Sequence, residues 1–232
     1  MRRISEKEYN HERLGNTFAV ALSQYDTRRR VETLIDDFLG QSAVKGKKAL
    51  DVGCGLGFFS KRMHELGADV TACDLGESLV NRVGEHVGCN AVIADALDLT
   101  TTFGENVFDV VVSSECIEHT PDPAGAIISM ARVLKPGGYI SLSTPNLLWW
   151  PIVKTATVLK LRPFDGLENF STWRGIRRTC ECAGIDVVRE FGLHLYPFQF
   201  GVHKFSNWID ENLQNYRGIM INICILGRKR ER

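Results

Sequence analysis

The sequence predicts an α/β fold of three layers, αβα, around a mostly parallel seven-stranded sheet that ends in an antiparallel hairpin. Three observations predict it. Short apolar runs at residues 49–52, 69–73, 91–94, 108–113 and 139–143 alternate with helical stretches, and that alternation builds right-handed βαβ units on a parallel sheet. The run 108–113, Phe-Asp-Val-Val-Val-Ser, is nearly all apolar, as a strand buried on both faces should be. Two later runs, 186–190 and 219–226, read as strands that pair as the terminal hairpin.

Taken in order, residues 1–45 form an N-terminal helical segment. Val31, Leu34, Ile35 and Phe38 recur at helical spacing and Gly40 follows as a stop. Residues 46–145 form the core. Its first strand, 49–52, leads to a helix over 58–66 closed by Gly67; the second, 69–73, leads to a helix over 77–87. After the third and fourth strands come a helix over 123–134 and the turn Lys135-Pro136-Gly137-Gly138, which feeds the fifth strand. Residues 146–170 break the alternation and read as an insertion, a lid over the site where a substrate enters. Residues 171–232 supply a helix over 172–183 and the hairpin. With neither repeat nor linker, the reading is a single domain over 1–232.

Composition bounds the function. Lys plus Arg and Asp plus Glu balance at 28 each, which counts against a protein whose main activity is gripping nucleic-acid phosphates. The tail Arg228-Lys229-Arg230-Glu231-Arg232 reads as a frayed, solvated terminus. Seven cysteines, at 54, 73, 89, 116, 180, 182 and 224, show no paired framework. No apolar stretch follows the first residues, and the longest apolar segment, 147–161, contains Lys154 and falls short of the ~20 residues that span a bilayer. These features predict a cytoplasmic protein; its oligomeric state is left open.

The strand at 49–52 runs into Asp51-Val52-Gly53-Cys54-Gly55-Leu56-Gly57. Glycines at the carboxyl end of a strand let the backbone turn sharply and approach a ligand closely. A dinucleotide fingerprint would place its third glycine at position 58, where this chain has Phe58. The D-x-G-x-G-x-G spacing resembles instead the first motif of class I S-adenosylmethionine-dependent methyltransferases, together with Asp74 after the second strand, Asp95-Ala96 after the third, and the Val133–Tyr139 turn. That resemblance implies a Rossmann-like fold and S-adenosyl-L-methionine as cofactor, with S-adenosyl-L-homocysteine as product. It further implies that Asp51, Gly53, Gly55 and Gly57 form the cofactor loop, that Asp74 accepts the ribose hydroxyls, that Leu75 packs on adenine, and that Asp95 and Ala96 contact its edge. Ser114, at the end of the fourth strand, joins this set.

The next stretch, Ser114-Glu115-Cys116-Ile117-Glu118-His119, spaces Glu115, Glu118 and His119 at i, i+3 and i+4. On a helical turn these three share one face, where they can bind a divalent metal such as Mg²⁺. With Leu142-Ser143-Thr144-Pro145-Asn146, this stretch resembles two branches: the ubiquinone-biosynthesis O-methyltransferases, and the small-RNA 2′-O-methyltransferases that add a downstream histidine to their metal. Residues 163–170 here have no histidine; Asp165 or Glu168 can supply an oxygen instead. His119 and Glu115 are the catalytic candidates, with His119 as general base. The other histidines, His194 included, stand alone in the sequence.

The run Leu147-Leu148-Trp149-Trp150-Pro151-Ile152-Val153 offers a wall for an apolar acceptor, a packed satellite core, or peripheral membrane contact through Trp149 and Trp150. The leading expectation is an O-methyltransferase acting on a small, partly apolar or aromatic acceptor. Transfer to an amine, a carbon or an RNA 2′-hydroxyl is the neighbouring reading. An NAD-dependent oxidoreductase and a non-catalytic nucleotide-binding module are the alternatives of another class.

Overall fold

The computed structural model describes residues 24–159, 167–195 and 203–231. Seven strands form one sheet in the order β3-β2-β1-β4-β5-β7-β6: β1 (Lys48–Val52), β2 (Asp69–Asp74), β3 (Asn90–Ile93), β4 (Phe108–Ser114), β5 (Leu134–Pro145), β6 (Ile185–Leu193) and β7 (Asn222–Lys229). The first five run parallel. β7 runs antiparallel to both β5 and β6. The chain steps outward from β1 to β2 and β3, then returns to β4 on the other side. This reversal opens a crevice at the carboxyl ends of β1 and β4.

Strand alternation sorts side chains onto two faces. On one, Leu50, Val52 and Val111 pack with Ile127 and Met130 of α6 (Pro123–Val133) and Ile176 and Cys180 of α8 (Trp173–Cys182). On the other, Ala49, Val110 and Val112 pack with Phe59 and Met63 of α3 (Phe58–Glu65) and with Leu34 and Ile35. Those two leucine-class residues lie in a π-helical stretch, Glu32–Asp37, between α1 (Gln24–Val31) and α2 (Gly40–Val44). Gly40 therefore opens a helix where the sequence suggested a stop. The part of the N-terminal helix expected over 1–23 lies outside the described residues.

Boundaries from β1 through α6 match the expected ones to within about two residues, including α4 at Glu77–Val87. Other elements differ. The hairpin strand expected over 219–226 is shifted, because Gln214–Ile219 forms a 3-10 turn and β7 begins at Asn222. The basic tail is not frayed through Glu231. Lys229 Nζ donates to the carbonyls of Ala131 (2.7 Å) and Leu134 (2.6 Å), capping the end of α6, and Arg230 pairs with Asp186 at 2.8 Å. Three further helices, α5 (Leu99–Phe103), α7 (Trp150–Val158) and α9 (His203–Asn212), add to the elements expected from the sequence.

The insertion leaves the sheet at Asn146, whose side chain caps Leu148 N–H and donates to the carbonyls of Gly218 and Met220. It returns at Ser171, whose carbonyl accepts from Leu147 N–H at 2.8 Å. Helix α7 buries none of its residues: Trp150, Ile152 and Val158 are exposed. Among the described residues, no helix is long and apolar enough to cross a membrane.

Candidate active site

Three glycines with positive φ, Gly53 (+73°), Gly55 (+49°) and Gly57 (+80°), turn the chain from β1 into α3. L side chains rarely adopt this region. At Gly53 a Cβ would also lie 2.4 Å from Cys116 Sγ, so the first turn packs directly against the residues that follow β4. At Gly55 a Cβ would meet nothing within 4 Å, so this face of the loop borders open space. Gly53 and Cys54 both donate to the carbonyl of Cys73 (2.9 and 3.0 Å), fastening the loop to the end of β2.

Two carboxylates brace the loop from different sides. Asp51 is buried beneath it and accepts from Ser60 Oγ at 2.5 Å, tying the strand end to the helix start. Burial pushes its carboxyl up to about 6, with the Ser60 hydrogen bonds pulling the other way. Asp74 Oδ2 accepts from Gly55 N–H (3.0 Å) and Oδ1 from Gly76 N–H (3.1 Å). These bonds orient the Asp74 group, and a carboxylate has about four acceptor sites in all. Asp95 Oδ1 accepts from Leu97 N–H at 2.9 Å, and Ala96 is buried. Leu75, Ile93 and Phe58, at the ends of β2 and β3 and the start of α3, remain exposed.

The tip of β4 carries the most polar arrangement. Ser114 Oγ accepts from Arg30 Nη1 (2.9 Å) and lies 2.9 Å from Ser143 Oγ, which donates to Glu115 Oε1 at 3.0 Å. Glu115 has φ +50°, a strained backbone for a residue with a side chain and one that clusters at functional sites. Burial pushes its carboxyl above the usual carboxylate range, and Arg30 pulls the other way. Glu118 is buried, where Glu115 is only partly so, and accepts from Thr144 Oγ1 at 3.2 Å; burial, then the like charge of Glu115, raise it well above its ordinary value.

The i, i+3, i+4 trio does not assemble. Glu115 leaves β4 in left-handed backbone, and only a 3-10 turn, Ile117–His119, follows. The side chains go to different partners: Glu115 to Ser143, Glu118 to Thr144, and His119 Nδ1 to within 3.0 Å of the Leu167 carbonyl, with its Nε2 3.9 Å from Glu118. Among the described residues no group of three or more His, Cys, Asp or Glu could hold a metal ion, so the Mg²⁺ expectation for Glu115, Glu118 and His119 is not met. Asp165 lies outside the described residues.

Two residues invisible to the sequence reading join this region. Arg30 is buried and pairs with Asp26 at 2.8 Å; burial opposes its charge, and Asp26, then Glu115, more than offset that. His194, which stands alone in the sequence, is fully buried at the end of β6 with Nε2 2.9 Å from Asp26 Oδ1. The run Arg28-Arg29-Arg30 looks like a solvated face. The one available signal was its register: Arg30 falls four residues before the buried Leu34 and so on the same helix face.

A methyltransferase-domain family model matches residues 50–142, from β1 through β5. The ubiquinone biosynthesis O-methyltransferase of Pseudomonas aeruginosa (strain UCBPP-PA14) is 33% identical over 186 residues, 74% of this chain and 78% of that protein. The protein of that name from Methylococcus capsulatus is 38% identical over 180 residues, covering 72% and 74%. The chain belongs to the S-adenosylmethionine-dependent methyltransferases. Its architecture agrees with that of the magnesium protoporphyrin IX methyltransferase of Synechocystis PCC 6803, solved with bound S-adenosylhomocysteine. The two share a TM-score of 0.63 at 15% identity, over 88% of this chain and 83% of that one.

The donor set of this methyltransferase fits its cofactor. The open face at Gly55, the oriented carboxylate of Asp74 and the exposed apolar Leu75 and Ile93 offer a nucleoside a close backbone approach, hydroxyl acceptors and flat apolar contact.

Proposed function

We propose that this methyltransferase acts on a hydroxyl oxygen of a small, partly apolar acceptor with an aromatic ring. The observation that carries the reading is identity of 33–38% to proteins named ubiquinone biosynthesis O-methyltransferase, spread over about three quarters of each. S-adenosylmethionine supplies a methyl group already activated on a sulfonium. Gly53, Gly55 and Gly57 would hold its amino-acid portion, Asp74 its ribose, and Leu75, Asp95 and Ala96 its adenine. Asp51 acts through the loop it braces, and Ser114 lies at the β4 end of the crevice.

The chain's own task is to align the hydroxyl, exclude water and take up its proton. Positioning of this kind can supply roughly 7–11 kcal/mol. Glu115 is the better-placed proton acceptor. It adjoins Cys116, which packs on Gly53, and its raised carboxyl suits proton exchange nearer neutral pH. His119, tethered to the Leu167 carbonyl, is the second candidate. The insertion 146–170 acts as a lid or wall of the acceptor site in a single domain over 1–232. The exposed apolar side chains of α7, Trp150, Ile152 and Val158, further support peripheral contact of a cytoplasmic enzyme with a membrane that holds the acceptor.

The test is transfer of labelled methyl from S-adenosylmethionine to a 4-alkylcatechol, with the product identified by mass spectrometry. A methyl ether is expected. Methylation confined to amines or carbon acids would refute the reading.

A further inference from the structure

We propose that His194 is a positioning residue for methyl transfer: it fixes Asp26, and through Asp26 the Arg30 guanidinium whose hydrogen-bonded arm orients the Glu115 carboxylate. The inference rests on the reading of Glu115 as proton acceptor and deepens it.

Every link in this chain is a direct contact. His194 Nε2 lies 2.9 Å from Asp26 Oδ1. An ionised carboxylate only accepts, so Nε2 carries the proton. Arg30 grips the same carboxylate twice, Nε to Oδ1 at 3.3 Å and Nη2 to Oδ2 at 2.8 Å, the fork that suits a guanidinium. The remaining arm, Nη1, donates to Ser114 Oγ at 2.9 Å. Ser114 Oγ is in turn 2.9 Å from Ser143 Oγ, and Ser143 donates to Glu115 Oε1 at 3.0 Å.

Proton counts fix the direction of these bonds. A hydroxyl has one proton to give. Ser143 gives its own to Glu115, so it accepts from Ser114, and Ser114 accepts from Arg30. All donors therefore point toward Glu115 and end on an oxygen that must be an acceptor. A guanidinium out of place would release both hydroxyls to turn, and Glu115 with them.

His194 is the far anchor. It is fully buried, as is Asp210, whose Oδ2 lies 3.8 Å from its Nδ1. Acids of two helices, Asp26 of α1 and Asp210 of α9, thus face the two ring nitrogens. Three non-glycine residues among those described take positive φ. Asn106 is exposed; Glu115 (+50°) and His194 (+63°) stand at the two ends of this chain. Such backbone persists only where its surroundings over-determine it.

The experiment measures kcat and acceptor KM with the 4-alkylcatechol, and S-adenosylhomocysteine affinity by calorimetry, in full-length wild type, H194N, H194Q, S143A and H194N/S143A. Asparagine tolerates the left-handed backbone, but its amide is too short to reach Asp26. H194N should lower kcat about 10–100-fold, the cost of a small misplacement, with S-adenosylhomocysteine affinity and KM within about threefold. H194Q, long enough to donate to Asp26, should recover most of that loss. Groups that act as a unit are not additive, so H194N/S143A should fall no more than about threefold below the lower single variant. If H194N does not fold, H194G, whose backbone accepts the same φ, takes its place. Unchanged kcat in the folded variant, a loss carried by cofactor affinity or KM, no recovery in H194Q, or fully additive losses would overturn the proposal. A purely structural link would lower the unfolding midpoint alone. E115Q with undiminished kcat would instead remove the proton-acceptor reading beneath it.

Discussion

His194 Nε2 and Asp26 Oδ1, 168 positions apart in sequence, meet at 2.9 Å in the interior. Asp26 also receives the Arg30 guanidinium, whose other arm reaches Ser114. Burial works to raise the Asp26 carboxyl, but Arg30 and then His194 more than offset it and hold it well below the usual carboxylate range. Helix α1, the end of β6 and the tip of β4 are thereby joined through ions screened from water. Arg30→Met should destabilise the protein by about 3–5 kcal/mol, because it strands a buried charge. Arg132→Met, which breaks the exposed pair with Glu105, should cost under about 1 kcal/mol. Urea denaturation of both variants checks the contrast, and equal losses would contradict the buried link.

Asp51 gives a stability profile of opposite sign to Asp26. Its folded value, about 6, lies above that of an unfolded aspartate, ordinarily ~3.9. The folded state therefore binds the extra proton between those values, and stability is lost as pH rises through 6. Asp51→Asn should gain on the wild type by roughly 2–3 kcal/mol between pH 4 and pH 7, read from denaturant midpoints at each pH. A pH-independent difference would mean that Asp51 stays ionised throughout.

The loop glycines should separate folding from ligand binding. Gly55→Ala meets no neighbour within 4 Å, so it carries only the backbone cost of positive φ, roughly 1–2 kcal/mol. Its loss should fall mainly on S-adenosylhomocysteine affinity, measured by calorimetry. Gly53→Ala adds a 2.4 Å encounter with Cys116 Sγ and should lower stability and affinity together. Cys116→Gly in the same chain should restore part of both.

Glu115→Gln should reduce kcat by about 10²–10⁴-fold, the usual range for a general base, with S-adenosylhomocysteine affinity preserved. His119→Gln should cost much less. Equal losses would return His119 to the leading role.

Because Glu115, Glu118 and His119 turn to Ser143, Thr144 and the Leu167 carbonyl respectively, exhaustive chelation should leave turnover intact. Activity that disappears on chelation and returns with Mg²⁺ would show a metal held in another way.

The parallel core was legible because each element there is local and periodic. Buried strands read as apolar runs, and Gly67 marks a real positive-φ turn, whereas Gly137 takes its positive φ inside β5, which begins at Leu134 ahead of the expected turn. The acceptor side was less legible, for physical reasons. Grouping Glu115, Glu118 and His119 assumed helical geometry, which one positive φ at Glu115 undoes. His194 looked isolated because Asp26 and Asp210 approach it from distant segments. Helix α5, Leu-Thr-Thr-Thr-Phe, is rich in β-branched residues that favour extended backbone, so packing overrides its local preference.

The strand order has a bearing on how the chain acquires its shape during synthesis. β6 leaves the ribosome before β7, yet among the described residues β7 is its one strand partner. Until β7 arrives, β6 has no strand partner and the outer rim of β5 stays uncovered. Each is then a template for pairing with another nascent chain, and shielding during that interval falls to whatever holds the emerging polypeptide apart from its neighbours.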